Sequence, residues 1–396
     1  MSNKFELLMP AGNIEKGIYA FEYGADAIYI GPKAYSLRAR SSNFDIDEIK
    51  QIVEYAHSIN KKVYVVLNII CHNAHLSGFE YFFKQINEIG VDAAIVADPF
   101  IFNKIKEINP NFDLHISTQQ SICNSKAAMF WKNNGATRIV LGRETSCVEL
   151  KMLLESIKNE IEIEYFIHGA VCISYSGRCM MSNNFSSRDA NVGGCAQSCR
   201  WNYNILDFDT NNKYFTMSAK DMSLFDDMKE LMKLNVASFK VEGRMKSLHY
   251  VSTIAACYKK LIDNISNNKF YDHIYLKEQL LKAENRLTDN AWFDKNPNEN
   301  KMLYHEEERD LNQIFAFTFI EKIDDYHYKI LSKNYITIND QFELLMPNMK
   351  NVIFSLNQIK NKNNELVNII NTPMEHFVIK TNILLPEWKN KIVRKI

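Results

Sequence analysis

Residues 137–168 read TRIVLGRETSCVELKMLLESIKNEIEIEYFIH. Thr137–Glu144 is a short apolar run, Val148–Ile157 carries apolar residues at helical spacing, and Ile161–His168 is a second β-branched and aromatic run. Strand, helix and strand in succession predict a βαβ unit with buried parallel strands.

The alternation continues on both sides. Upstream, strand patterns fall at Phe5–Pro10, Asp26–Gly31, Lys62–Ile70, Asp92–Asp98 and Asp113–Ser117. Helix patterns separate them at Ile14–Tyr23, Ile46–Ile59, Gly78–Ile89, Phe100–Ile108 and Cys123–Asn133. Downstream, strands are expected at Phe215–Ser218 and Ser238–Arg244, and helices at Ser223–Lys233 and Leu248–Ile262. Eight or nine strands over roughly 260 residues predict an α/β fold, a (β/α)8 TIM-barrel-like domain over residues 1–265. An open doubly wound sheet is the alternative. No G-x-G-x-x-G follows the first strand, which argues against its dinucleotide-binding version.

Residues 266–310 turn polar and acidic (NISNNKFYDH, NPNEN, HEEERD) and read as a helical connector. From 311 to 396 the runs IFAFTFIEKI, YHYKILSK, QFELLMP, NVIFSLNQI and HFVIKTNI predict a small antiparallel β-barrel domain. The closing WKNKIVRKI reads as a solvated basic tail. Lys+Arg and Asp+Glu both number 47, so nucleic-acid binding would have to come from a local patch. The start, MSNKFELLMPAG, lacks a signal-peptide pattern, and no run nears the ~20 apolar residues of a membrane span. A cytoplasmic protein with no membrane contact is expected.

Chemistry concentrates in a loop expected at 169–203. Four of the eight cysteines lie there, at Cys172, Cys179, Cys195 and Cys199, spaced C-x6-C-x15-C-x3-C. In a reducing compartment such a group points to metal rather than disulfides. Structural zinc favours tighter knuckles, and an iron–sulfur cluster suits the loose spacing at least as well. Cys71, Cys123, Cys147 and Cys257 are scattered and read as core or surface thiols.

Barrel enzymes carry their sites at the C-terminal ends of the strands. Polar residues expected there are Glu6, Asn68, Asp98, Ser117, Gln119, Arg143, Glu144, His168, Lys220, Asp221, Glu242, Arg244 and Lys246. Arg178, Arg188 and Arg200 add basic character around the cysteines, either to balance an anionic cluster or to hold an anionic substrate or RNA phosphates. Trp201 and Tyr203 could stack on a base, although packing is the commoner use. No H-E-x-x-H or G-x-S-x-G is present.

Residues Glu164–Ser182, EYFIHGAVCISYSGRCMMS, closely resemble the signature of the collagenase-like peptidase family U32, E-x-F-x-x-G-[SA]-[LIVM]-C-x4-G-x-C-x-[LIVM]-S. Each fixed position is met, by Glu164, Phe166, Gly169, Ala170, Val171, Cys172, Gly177, Cys179, Met181 and Ser182. ELLMPAG, YGADAIYIG, STQ, LGRE, SCRW, KDM and VEGRMKS extend the likeness along the chain. Several relatives of that family are oxygen-independent hydroxylation proteins, and the cysteine spacing looks most similar to the branch acting on wobble uridine in tRNA. The resemblance implies a [4Fe–4S] cluster on Cys172, Cys179, Cys195 and Cys199, prephenate as co-substrate, and tRNA and a paralogous subunit as partners. In that setting His168, Glu242, Asp221 and Lys220 are the expected proton carriers and catalytic groups. Arg178, Arg188, Arg244, Lys246, Glu6 and Asn68 are the expected substrate-binding residues. A collagenase-like peptidase, a zinc-stabilised RNA-binding protein, and hydroxylation of an rRNA cytidine or a quinone ring are the alternatives.

Overall fold

The computed structural model describes residues 5–37, 43–204, 214–283, 286–296, 298–304 and 314–396. The acidic HEEERD of the expected connector, 305–310, lies outside them, as do the first residues of the expected β-domain. The chain divides into two compact units: residues 1–17, 25–246 and 286–309, and residues 18–24, 247–285 and 310–396.

The first unit holds strands β1 (Glu6–Ala11), β2 (Ala27–Ile30), β3 (Lys62–Leu67), β4 (Ala93–Val96), β5 (Leu114–Ile116), β6 (Arg138–Val140), β7 (Glu162–Gly169), β8 (Asp221–Ser223), β9 (Ser238–Val241) and β10 (Thr288–Asp289). β1 to β7 pair in sequence, β7 pairs with β9, and β9 with β1, all parallel. This is a closed eight-stranded parallel barrel, and the open-sheet alternative is excluded. The sequences explain the geometry. AIYI of β2 and AAIV of β4 are buried at every position, as strands covered on both faces must be.

Helices α1 (Ile14–Glu22), α2 (Ile46–Ser58), α3 (Phe79–Ile89), α4 (Pro99–Ile108), α5 (Ser125–Asn133), α6 (Cys147–Ile157), α7 (Met181–Ser186) and α8 (Met228–Lys233) intervene. Most are started by local chemistry. Asp45 and Ser146 form capping boxes with Glu48 and Glu149, and Asp98 caps α4 ahead of Pro99. α2 buries Ile49, Ile52, Val53 and Ala56, the expected helical stripe.

One expected strand is corrected. Phe215 makes only an isolated bridge with Tyr203. The strand comes later, at β8, and runs antiparallel to the end of β7, with His168 opposite Ser223 and Gly169 opposite Met222. β10 extends this flap in parallel with β8.

The second unit contains α9 (Leu248–Ser266), α10 (His273–Leu281) and strands β11 (Ile314–Lys322), β12 (His327–Ser332), β13 (Ile336–Thr337), β14 (Gln341–Leu344), β15 (Val352–Lys360), β16 (Ile369–Ile370), β17 (His376–Thr381) and β18 (Ile392–Lys395). Six of them close an antiparallel barrel in the order β11-β12-β17-β15-β14-β18, and β13 pairs with β16. Phe317, Tyr328, Phe342, Phe354 and Val393 fill its core. The solvated basic tail is a second correction. IVRK is β18, paired to both β11 and β14. Its Arg394 is fully buried, 3.0 Å from Glu343 and 2.8 Å from the Gln279 amide oxygen. No described helix is long and apolar enough to cross a membrane.

Candidate functional site

The C-terminal ends of the barrel strands open on a cavity of about 950 Å³, its mouth included. Asn68 follows β3, Ser117 and Gln119 follow β5, Arg143 follows β6, Cys172 follows β7, and Glu242 and Arg244 follow β9; all line it. Cys179, Cys195 and Cys199 line it too, so the four clustered cysteines share one space.

The loop that carries them is pinned from below. The Ser176 hydroxyl donates to Glu144 at 2.6 Å, and Arg178 Nε donates to the Gln119 carbonyl at 2.6 Å. The Asn191 amide donates to the Cys179 carbonyl at 3.2 Å, and the Ala196 N–H donates to the Ser182 hydroxyl at 3.0 Å. Gly169 turns the chain into the loop at φ +111°, and a Cβ there would meet the Glu242 carbonyl oxygen at 2.5 Å. Only glycine fits both demands.

All four thiols are free. The Met181 N–H donates to Cys179 Sγ and the Gln197 N–H to Cys195 Sγ, each at 3.4 Å. Burial pushes the Cys199 thiol up; Arg200 opposes this, and Cys172, Cys195 and Cys179 add to it. Cys199 therefore lies within electrostatic reach of the other three. Among the described residues no three His, Cys, Asp or Glu side chains close to single-ion distance. Around one zinc, thiolate sulfurs would stand about 3.8 Å apart, given Zn–S near 2.3 Å. Burial raises Cys71 to about 12 and Cys147 to about 11, so both stay protonated thiols.

Cations also face the cavity. Arg143 lies 4.0 Å over the Phe166 ring and 3.6 Å from Glu242. Lys240 sits 4.6 Å over the Tyr29 ring and 2.7 Å from Glu164. Arg244 donates to the Ser36 hydroxyl at 3.1 Å and to the Leu37 carbonyl. Its guanidinium needs Gly31, where a Cβ would stand 1.5 Å from it. Lys240 and Tyr29 were missed by sequence reasoning, and Phe166 entered only as a position of the family signature; the available signal was a lysine inside the apolar run SFKV.

The other expected residues are dispersed. Lys220 lines a second cavity of about 420 Å³, which shares Cys172 and Ile173 with the first and adds Trp292. Asp221 is buried beneath three cations, 3.0 Å from Arg286, 3.7 Å from Lys246 and 3.8 Å from Arg200. Arg178 is exposed, and Arg188 lines neither cavity. Glu6 is corrected: it opens β1 rather than ending it, and holds Tyr64 at 2.5 Å and Arg138 at 2.6 Å inside the barrel.

His168 is buried and lines neither cavity. Burial lowers its pKa to about 3, with Asp221 opposing and Lys246 assisting. It is a neutral imidazole at neutral pH. The folded state refuses a proton that the unfolded chain accepts near pH 6.5. Stability is therefore intact above that pH and falls as pH drops from about 6.5 toward 3, by about 1.4 kcal/mol per unit. Urea unfolding at pH 7 and pH 5 should differ by about 2 kcal/mol more in the parent than in His168→Gln. Equal differences would remove this account.

Comparison with known proteins matches residues 12–303 to the model of peptidase family U32, and residues 313–394 to that of the family's C-terminal domain. A tRNA hydroxylation protein P1 of Bacillus subtilis is 36% identical over 407 residues, covering 100% of this chain and 96% of its own. A tRNA hydroxylation protein P of Escherichia coli is 31% identical over 419 residues, covering 92% and 91%. A 23S rRNA 5-hydroxycytidine synthase of Escherichia coli is 35% identical over 268 residues, covering 67% and 40%. The glycine-turned cysteine loop thus sits within a likeness that runs from the first barrel strand to the last strand of the β-domain, and the chain belongs to peptidase family U32.

Proposed function

We propose that this chain hydroxylates the wobble uridine of tRNA to 5-hydroxyuridine without oxygen, in the cytoplasm, with prephenate as co-substrate and a [4Fe–4S] cluster held by Cys172, Cys179, Cys195 and Cys199. The whole-length match to a tRNA hydroxylation protein, 36% identical across 100% of the chain, carries this reading.

The donor set fits the cluster. Four thiols line one cavity, two of them already accept backbone N–H bonds, and each thiolate of such a cluster takes a different iron. Their spread, too loose for one ion, suits that arrangement. Once bound on four thiolates, the cluster would supply one-electron redox chemistry for a conversion, uridine C–H to C–OH, that is a net two-electron oxidation. The chain's own residues do the rest. Arg143 and Arg244 face the cavity and would hold the carboxylates of a small dianion such as prephenate. Asn68 would orient a polar edge, and Glu242, held by Arg143 and by the Tyr29 hydroxyl at 3.4 Å, would hold or move a proton there. The wobble base would reach them flipped out of its stack.

The test is nucleoside mass spectrometry of tRNA from a strain lacking this gene and its relatives. Expression of this chain alone should restore 5-hydroxyuridine. Restoration only with a relative would show that a paralogous subunit is needed. No 5-hydroxyuridine in either case would sink the proposal.

A further inference from the structure

We infer that Arg200 is the fixed charge that balances the anionic iron–sulfur group, and that Asp221 and Ser218 position it. The inference rests on the reading of the four cysteines given above.

Arg200 follows Cys199 directly, at the end of the 3-10 turn Ser198–Arg200. One guanidinium nitrogen donates to the Ser218 hydroxyl at 3.3 Å, and the other lies 3.8 Å from Asp221. Asp221 is a shared and closer partner of Arg286, whose NH1 reaches its two oxygens at 3.0 and 3.3 Å. Lys246 adds a third cation at 3.7 Å. One carboxylate cannot neutralise both Arg200 and Arg286. Among the described residues neither Arg200 nor Arg286 meets a second carboxylate.

Largely buried like charges are costly unless an anion joins them. Besides Asp221, the group beside Arg200 that can become anionic is the Cys199 thiol, its neighbour in the same 3-10 turn. An anionic substrate already has Arg143, Lys240 and Arg244 on the lining of the larger cavity. An iron–sulfur core on four thiolates carries net negative charge and meets the need. Reduction adds one more negative charge, so a nearby fixed cation favours the reduced form.

The full-length protein would be purified without oxygen as parent, Arg200→Lys and Arg200→Gln. Iron and sulfide would be assayed and the cluster's reduction followed by paramagnetic resonance during redox titration. Arg200→Gln is expected to titrate at a more negative potential and to lose iron to a chelator faster. Arg200→Lys should restore most of both. The iron-free Arg200→Gln protein should melt no lower than the iron-free parent, since removing the charge relieves repulsion. A loaded Arg200→Gln protein with the parent's potential overturns the inference. If that variant takes up no iron, Ser218→Ala, which loosens Arg200 but keeps its charge, must still shift the potential; an unchanged value overturns the inference as well. A parent protein without iron overturns the cluster reading itself and takes this inference with it.

Discussion

Glu164→Ala is expected to destabilise the first unit by about 3–5 kcal/mol, the usual cost of breaking a buried ion pair by removing one partner. Glu164 is fully buried in β7. It takes Lys240 at 2.7 Å and Arg138 at 3.2 Å, and Arg138 also reaches Glu6 at 2.6 Å and Glu162 at 2.7 Å. Burial works against the Arg138 charge, but Glu6 and Glu164 outweigh it and push its pKa up. Alanine would leave the Lys240 ammonium inside the barrel against two aromatic rings and no carboxylate at its side. Glu164→Gln, which keeps shape and one acceptor, should cost clearly less. Glu6 shares Arg138, so Glu6→Ala and Glu164→Ala should be non-additive by about 0.5–3 kcal/mol in a double-mutant cycle. Urea unfolding measures all three. Parent-like stability in Glu164→Ala would show that the network contributes nothing. The same change should disturb the cavity, because Lys240 belongs to both.

The barrel was legible because its strands are apolar throughout and its helices carry apolar residues at helical spacing. AIYI, AAIV and the α2 stripe Ile49, Ile52, Val53 and Ala56 state their structure within a few residues. What was not legible has a common cause. β8 and β10 are three and two residues long, too short to show any period, and their pairing depends on where β7 ends. IVRK was read by its charge, yet its alternation carries Arg394 to a buried carboxylate that lies far away in sequence. Glu6 was placed one strand length wrong, since sequence does not say which end of β1 faces the site. The cysteines were found because their residue type alone is informative. Lys240, Arg286 and Trp292 act through neighbours that only the fold supplies.

On the proposed four-thiolate cluster, replacing any one of Cys172, Cys179, Cys195 and Cys199 by alanine should remove most of the iron and reduce 5-hydroxyuridine formation to background, while Cys71→Ser and Cys123→Ser leave both unchanged. The loop gives the reason. Between Gly169 and Tyr203 it has one six-residue helix, α7, and 3-10 turns of three residues. Phe185, Met180 and Tyr175 are exposed, so little apolar burial holds these pieces in place. A group bound by four thiolates would supply much of the loop's folding energy, as metals do in small sites. Iron removal should therefore act first on this loop. Trypsin should cut at Arg178 or Arg188 in the iron-free protein and in each cysteine variant, and spare the loaded parent. Loss of iron in Cys172→Ala and Cys179→Ala, with full iron and activity kept in Cys195→Ala and Cys199→Ala, would reject the four-ligand set and confine the chemistry to the first pair. Equal protease resistance with and without iron would show that the loop is held by the Glu144, Gln119 and Asn191 contacts alone.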